Sequence, residues 1–111
     1  MLAQSQIKEI SKVKESLNLI IKICNNIINN PNNDKFRVLN LKNQILEKNI
    51  FQIESLLILV FYIGFNEQNE CLKLYDELLD VSILRETSNL ITQKIFELDN
   101  SLEEREKKHK I

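Results

Sequence analysis

Apolar residues recur at intervals of three and four near the start of the chain, at Ile7, Ile10, Leu17, Ile21, Cys24 and Ile28, with lysine and glutamate between them. That period is helical, and it predicts a long amphipathic helix with one buried stripe. The pattern breaks at Asn29-Asn30-Pro31-Asn32-Asn33-Asp34. Turn-forming side chains there surround a proline with no backbone N–H to donate, so a turn is expected. Residues 38–41 then suit a short extended piece, and Asn43 stands where it would cap a short helix over residues 44–50. Residues 53–63 are apolar on most of their surface, which predicts a helix packed on two sides. Gly64 is placed to end it, since glycine takes a positive φ without strain. The stretch 65–75 is polar in its middle and closes on the alternation Leu72-Lys73-Leu74-Tyr75, a hairpin signal. The three–four spacing returns at Val81, Leu84, Ser88, Ile91, Ile95, Leu98 and Leu102 and predicts a second long helix. The charged run 103–110 reads as a solvated helix end or a frayed tail.

These elements give a mostly α (α+β) fold: a compact helical bundle with a small antiparallel β-sheet near residues 36–41 and 65–75. A length of 111 residues with 43% hydrophobic side chains supports one core, so residues 1–102 are expected to form a single domain, with 103–111 as a tail. One glycine and one proline leave little material for tight turns, which favours helices over a β-sandwich. Lysine and arginine total 15 against 16 acidic residues, so no global field attracts nucleic acid or an anionic membrane. The longest apolar run, residues 56–63, is far short of the roughly 20 needed to span a bilayer. The opening residues mix charged and apolar side chains at helical spacing rather than forming a basic-then-apolar leader, and a cytosolic or nuclear address is expected.

Catalysis finds little material. The single histidine, His109, lies in the charged tail, so no Cys-His or Ser-His pair is available within a folded core. Cys24 and Cys71 are far apart in sequence and lack the spacing of a metal knuckle or redox pair, and are expected to be free buried thiols in a reducing compartment. No phosphate-binding loop is possible with one glycine. The expectation is a non-enzymatic chain without metal or cofactor. The stripe over 81–102 also permits a coiled-coil dimer, a helical scaffold that oligomerises. Ser88 in the seam and the unordered flanking charges favour an intramolecular helix and a monomer.

One set of positions is more specific than any periodicity. Asn26-Ile27-Ile28-Asn29-Asn30-Pro31 is followed after three residues by Lys35-Phe36-Arg37, then by Asn43 six residues beyond the arginine, and by Gly64-Phe65 after the apolar helix. This register resembles the PUB domain, a helical peptide-binding module found in peptide:N-glycanases, UBX-containing proteins and a ubiquitin ligase. The resemblance spans about residues 20–84.

The resemblance implies a partner, the acidic C-terminal tail of a valosin-containing-protein-type AAA+ ATPase, which carries a Leu-Tyr pair near its end. It implies a peptide-binding set of Asn26, Lys35, Phe36, Asn40, Asn43, Gly64 and Phe65. Asn26 and Asn43 would hydrogen-bond the peptide, as an amide side chain can pair with an extended backbone. Phe36 stands at the family's tyrosine and would help wall the pocket, with a core position as the alternative. Lys35 would add positive charge, and Gly64-Phe65 would form the far rim or pack beneath it. Arg37 is expected to fix the loop rather than touch ligand. This chain departs from the family at Asn40, where a basic residue is usual, although Lys42 lies nearby. Gln52 and Ser55 replace a proline and a glycine, and Phe36 lacks the tyrosine hydroxyl.

Overall fold

The computed structural model describes the backbone of residues 4–109 and the side chains of residues 8–100. Helix α1 (Gln4–Asn29) is followed by a 3-10 turn (Asp34–Arg37), strand β1 (Val38–Asn40), a short helix α2 (Gln44–Leu46) that continues as a π-helical turn (Glu47–Phe51), and helix α3 (Glu54–Ile63). A hairpin of β2 (Asn66–Gln68) and β3 (Cys71–Lys73), a second 3-10 turn (Asp76–Leu78) and the long helix α4 (Val81–His109) complete it. The fold is mostly α with a small antiparallel sheet, as the sequence predicts. The Ile7 side chain, the Leu102 and His109 side chains and Lys110 lie outside the described residues.

Helices α1 and α4 pack against each other along their lengths. Lys14 pairs with Asp99, and the Ser88 hydroxyl lies 3.4 Å from the Asn25 Oδ1. Moving up α1 from Lys14 to Asn25 therefore moves an equal distance down α4 from Asp99 to Ser88, so the helices are antiparallel. The stripe of α4 expected from its spacing is accordingly covered within the chain, with Leu84, Ser88 and Ile91 buried and Ile95 and Leu98 half-buried. On α1 the buried row is Leu17, Ile20, Cys24 and Ile27, one position off the expected stripe at Ile21 and Ile28. The run Leu19-Ile20-Ile21 satisfies either register, and packing against α4 on one side and the π-helical turn and first 3-10 turn on the other selects Ile20. Each fully buried isoleucine or leucine contributes about 1.5–3 kcal/mol. The exposed-rim pair Lys14–Asp99 adds at most about 1, so the apolar seam holds the two helices together.

The sheet order is β1-β3-β2, antiparallel throughout, with Val38 opposite Lys73 and Lys73 opposite Asn66. Leu39 and Leu72 face the core, while Val38 and Asn40 face outward, the alternation expected of a sheet with one wet side. Asn69 turns the hairpin at φ 56°, a conformation asparagine tolerates. Gly64 ends α3 at φ 122°, and a Cβ there would stand 2.9 Å from the Leu74 Cδ1, so both backbone conformation and packing select glycine.

Two expectations are corrected. The short helix after Asn43 is not a uniform α-helix to Ile50. It widens into a π-helical turn over Glu47–Phe51, which buries Asn49 with its Nδ2 donating to the Ile45 carbonyl at 2.9 Å. Helix α3 is not packed on two sides either: Val60 and Ile63 are buried, but Ile58, Phe61 and Tyr62 are exposed. Helix α4 and the π-helical turn lie against its inner face, and among the described residues no further layer covers the outer one.

Candidate functional site

The sequence-predicted residues distribute over the two ends of the small sheet. At the end marked by Val38, Lys73 and Asn66, the chain enters from Phe36-Arg37 and from Gly64-Phe65. At the other end, beyond Asn40, stand Lys42 and Asn43, beside the hairpin turn where the Leu41 N–H donates to the Glu70 carbonyl at 2.9 Å. Asn26 lies half-buried in the last turns of α1, which packs against the 3-10 turn carrying Lys35 and Phe36.

The first end is fastened by Arg37. Its side chain is 5% exposed, and its guanidinium pairs with Asp34 on one turn and Asp76 on the other. The Arg37 carbonyl accepts from the Leu74 N–H at 2.9 Å. Arg37 thus fixes the loop, as expected. Phe36 beside it is half-buried and packs on the core, Lys35 is exposed, and Phe65 is 2% exposed, packed beneath the surface rather than on it.

The second end is organised by asparagines. Asn40 Oδ1 accepts from the Lys42 N–H at 2.9 Å. Asn43 caps α2, its Oδ1 accepting from Ile45 and Leu46 N–H groups at 3.0 and 3.1 Å, and its carbonyl accepting from the Glu47 N–H at 2.8 Å. The acceptor side of Asn43 is therefore engaged in the fold. Its amide NH2 is exposed and makes no hydrogen bond among the described residues, which leaves two donors facing solvent. Lys42, the nearest cation to Asn40, pairs with Glu70 at 3.0 Å across a solvated surface, so it compensates for the missing basic residue only in part.

A hollow of about 220 Å³ lies between α1 and α2, lined by Glu15, Asn18, Leu19, Lys22, Ile45 and Asn49. Sequence reasoning missed it. Ile45, 64% exposed, forms one wall of it with Leu19 opposite. Asn26 stands one turn beyond Lys22 on the same face of α1, and Asn43 opens the helix that carries Ile45. The two asparagines are reached by continuing past the hollow along its two helices. The signal available in the sequence was an isoleucine two residues after a helix cap, a position that usually faces solvent. A wider, open concavity of about 670 Å³ over Asn29, Asn30, Pro31, Asn32, Asn33 and Asp34 is polar apart from the proline and offers nothing to hold an aromatic ring.

A model of the PUB domain family matches residues 10–95. The chain belongs to the PUB family. PUB domains are protein-interaction modules, and the motif register that suggested the family lies within the matched span. No curated protein matches the chain in sequence.

The cysteines of this PUB domain are both free, but only Cys24 is buried as expected; Cys71, on the three-residue strand β3, is half-buried. Burial pushes the Cys24 thiol up to about 11 from 9.0, so it is protonated at neutral pH and is not a nucleophile. The sign follows directly: between about pH 9 and 11 the unfolded thiol ionises while the folded one keeps its proton, so stability is lost as pH rises through that window. Native protein titrated with a thiol reagent near pH 8 is expected to react at the half-buried Cys71 and to release Cys24 only on unfolding. Equal rates at both would show that Cys24 is accessible.

Proposed function

We propose that this PUB domain is a non-enzymatic adaptor that captures the acidic C-terminal tail of a valosin-containing-protein-type AAA+ ATPase. Its setting would be a larger protein of the ubiquitin and ER-associated degradation pathway, such as a peptide:N-glycanase, at a cytosolic or nuclear address. The observation that carries the reading is Asn43: its side-chain oxygen is held by the α2 cap while its NH2 makes no hydrogen bond among the described residues, and the helix it opens carries Ile45, which lines the hollow against α1. A tail peptide would place its backbone carbonyls on Asn43 and Asn26, and its ring against Phe36. Lys35 and Lys22 would attract its carboxylates over a screened distance. The oligomerising scaffold loses its main support, since the α4 stripe is covered by α1. A monomer is expected in sedimentation.

Asn43 carries both a structural and a binding role, and two substitutions separate them. Asn43→Ala is expected to cost about 1 kcal/mol of fold stability through the lost cap. It should also weaken binding of a labelled acidic Leu-Tyr tail peptide by about fivefold to a hundredfold, for a peptide group left unpaired at about 1–3 kcal/mol. Asn43→Asp keeps the capping oxygens and the stability but removes the donors, so binding is lost while the melting temperature is not. An Asn43→Asp protein that binds the tail normally would place the site elsewhere.

A further inference from the structure

Helix α3 carries a second apolar surface that the asparagine site does not use. Ile58 and Tyr62 are 59% and 63% exposed and Phe61 is 42% exposed, a continuous stripe over the last turns of the helix. Leu78, half exposed, extends it, because a Cβ on Gly64 would lie 3.7 Å from the Leu78 Cβ and Gly64 directly follows α3. Two aromatic rings and two branched aliphatic side chains so grouped are the kind of patch that marks an interaction surface.

Carboxylates lie close to the patch along the chain. Glu54 begins α3 one turn before Ile58, Glu77 precedes Leu78, and Asp80 follows it. No lysine or arginine occurs in α3 or in residues 76–84, and the exposed Arg85 is the first cation beyond them, so carboxylates outnumber cations here. Asp76 is paired with Arg37, and Asp80 accepts from the Ser82 and Ile83 N–H groups, which leaves Glu54 and Glu77 as the uncommitted charges. A second copy docked on the same face would set acid against acid.

We propose that the α3 face, formed by Ile58, Phe61, Tyr62 and Leu78, is a docking surface for a basic amphipathic helix of a partner protein. Such a helix lays leucine-like side chains at i, i+3, i+4 and i+7 on the stripe and brings lysines or arginines to Glu54 and Glu77. It is independent of the tail reading. The asparagine site, with Lys22 and Lys35, suits an acidic extended segment, while the α3 face suits a basic helical one, so each site discriminates against the ligand of the other.

The test is a titration of the isotope-labelled chain, followed by amide chemical shifts, with a designed helical peptide bearing leucines at those positions and lysines on the flanks. A counterpart with glutamates replacing the lysines is the control. The expected result is saturable shifts in α3 and residues 76–80 with the lysine peptide only. Ile58→Ser or Tyr62→Ser, both at exposed positions, should weaken it by about tenfold, and Glu77→Lys should abolish the preference between peptides. Asn43→Asp should leave it unchanged, which separates this surface from the tail site. Equal binding of the glutamate peptide, wild-type affinity in Tyr62→Ser, or a dimer of the chain that Tyr62→Ser dissolves would each overturn the proposal.

Discussion

Phosphorylation of the tyrosine in the acidic tail peptide is expected to abolish its binding. The phosphate adds about two negative charges that must leave water if the ring enters its apolar pocket. A facing arginine could offset that loss through a bidentate contact, but Arg37 is buried and already paired with Asp34 and Asp76. Asn40 stands where the family carries a cation, and Lys42 is paired with Glu70. Lys22 and Lys35 are exposed point charges whose attraction is screened and worth little against desolvation, and Lys73, opposite Val38, lies over the Tyr75 ring. Calorimetry with paired peptides measures the difference directly. A phosphopeptide that binds as tightly as its parent would mean that the ring stays in solvent and the aromatic pocket is misplaced.

Replacing Arg37 with alanine is expected to lower stability by about 2–3 kcal/mol and the melting temperature by roughly 10 °C or more. The reasoning turns on which partner is buried. Removing one member of a fully buried ion pair strands a charge and costs about 3–5 kcal/mol. Here the carboxylates of Asp34 and Asp76 are 78% and 77% exposed and would simply return to water. What is lost is the packed volume of the side chain and its tie between two turns, while the backbone bond from the Leu74 N–H to the Arg37 carbonyl remains. Arg37→Met, which keeps most of the volume, should recover part of the loss, and Asp34→Ala and Asp76→Ala should each cost less than Arg37→Ala. Thermal unfolding of the set decides it. An Arg37→Ala protein that melts with the wild type would show that the two turns are held by packing alone.

The long helices, the asparagine-rich turn, the hairpin and the glycine stop were all legible because each rests on local chemistry: a period, a missing N–H, a positive φ. Asn43 as a cap was legible for the same reason. Features that depend on distant residues were not. Nothing local connects Arg37 to Asp76, and nothing in the run Leu19-Ile20-Ile21 says which isoleucine faces α4. Ile45 and Leu19 make a hollow only because the π-helical turn sets α2 against α1. The reading of α3 failed for a general reason: an apolar helix without polar positions predicts contact on all sides, but whether a second layer exists is decided by the rest of the chain.

The antiparallel pairing of α1 and α4 has a mechanical consequence. The N-terminal part of one helix and the C-terminal part of the other meet near Lys14 and Asp99. A pull applied through both flanks would therefore open the pair from that end, breaking Leu17, Ile20 and Cys24 free of α4 in succession rather than all at once. Helices loaded in this way peel apart at lower force than helices sheared along their length. A threading motor that gripped one flank would meet the least resistance at that end, and the tie at Arg37, at the far end of α1, would be among the last contacts to give way.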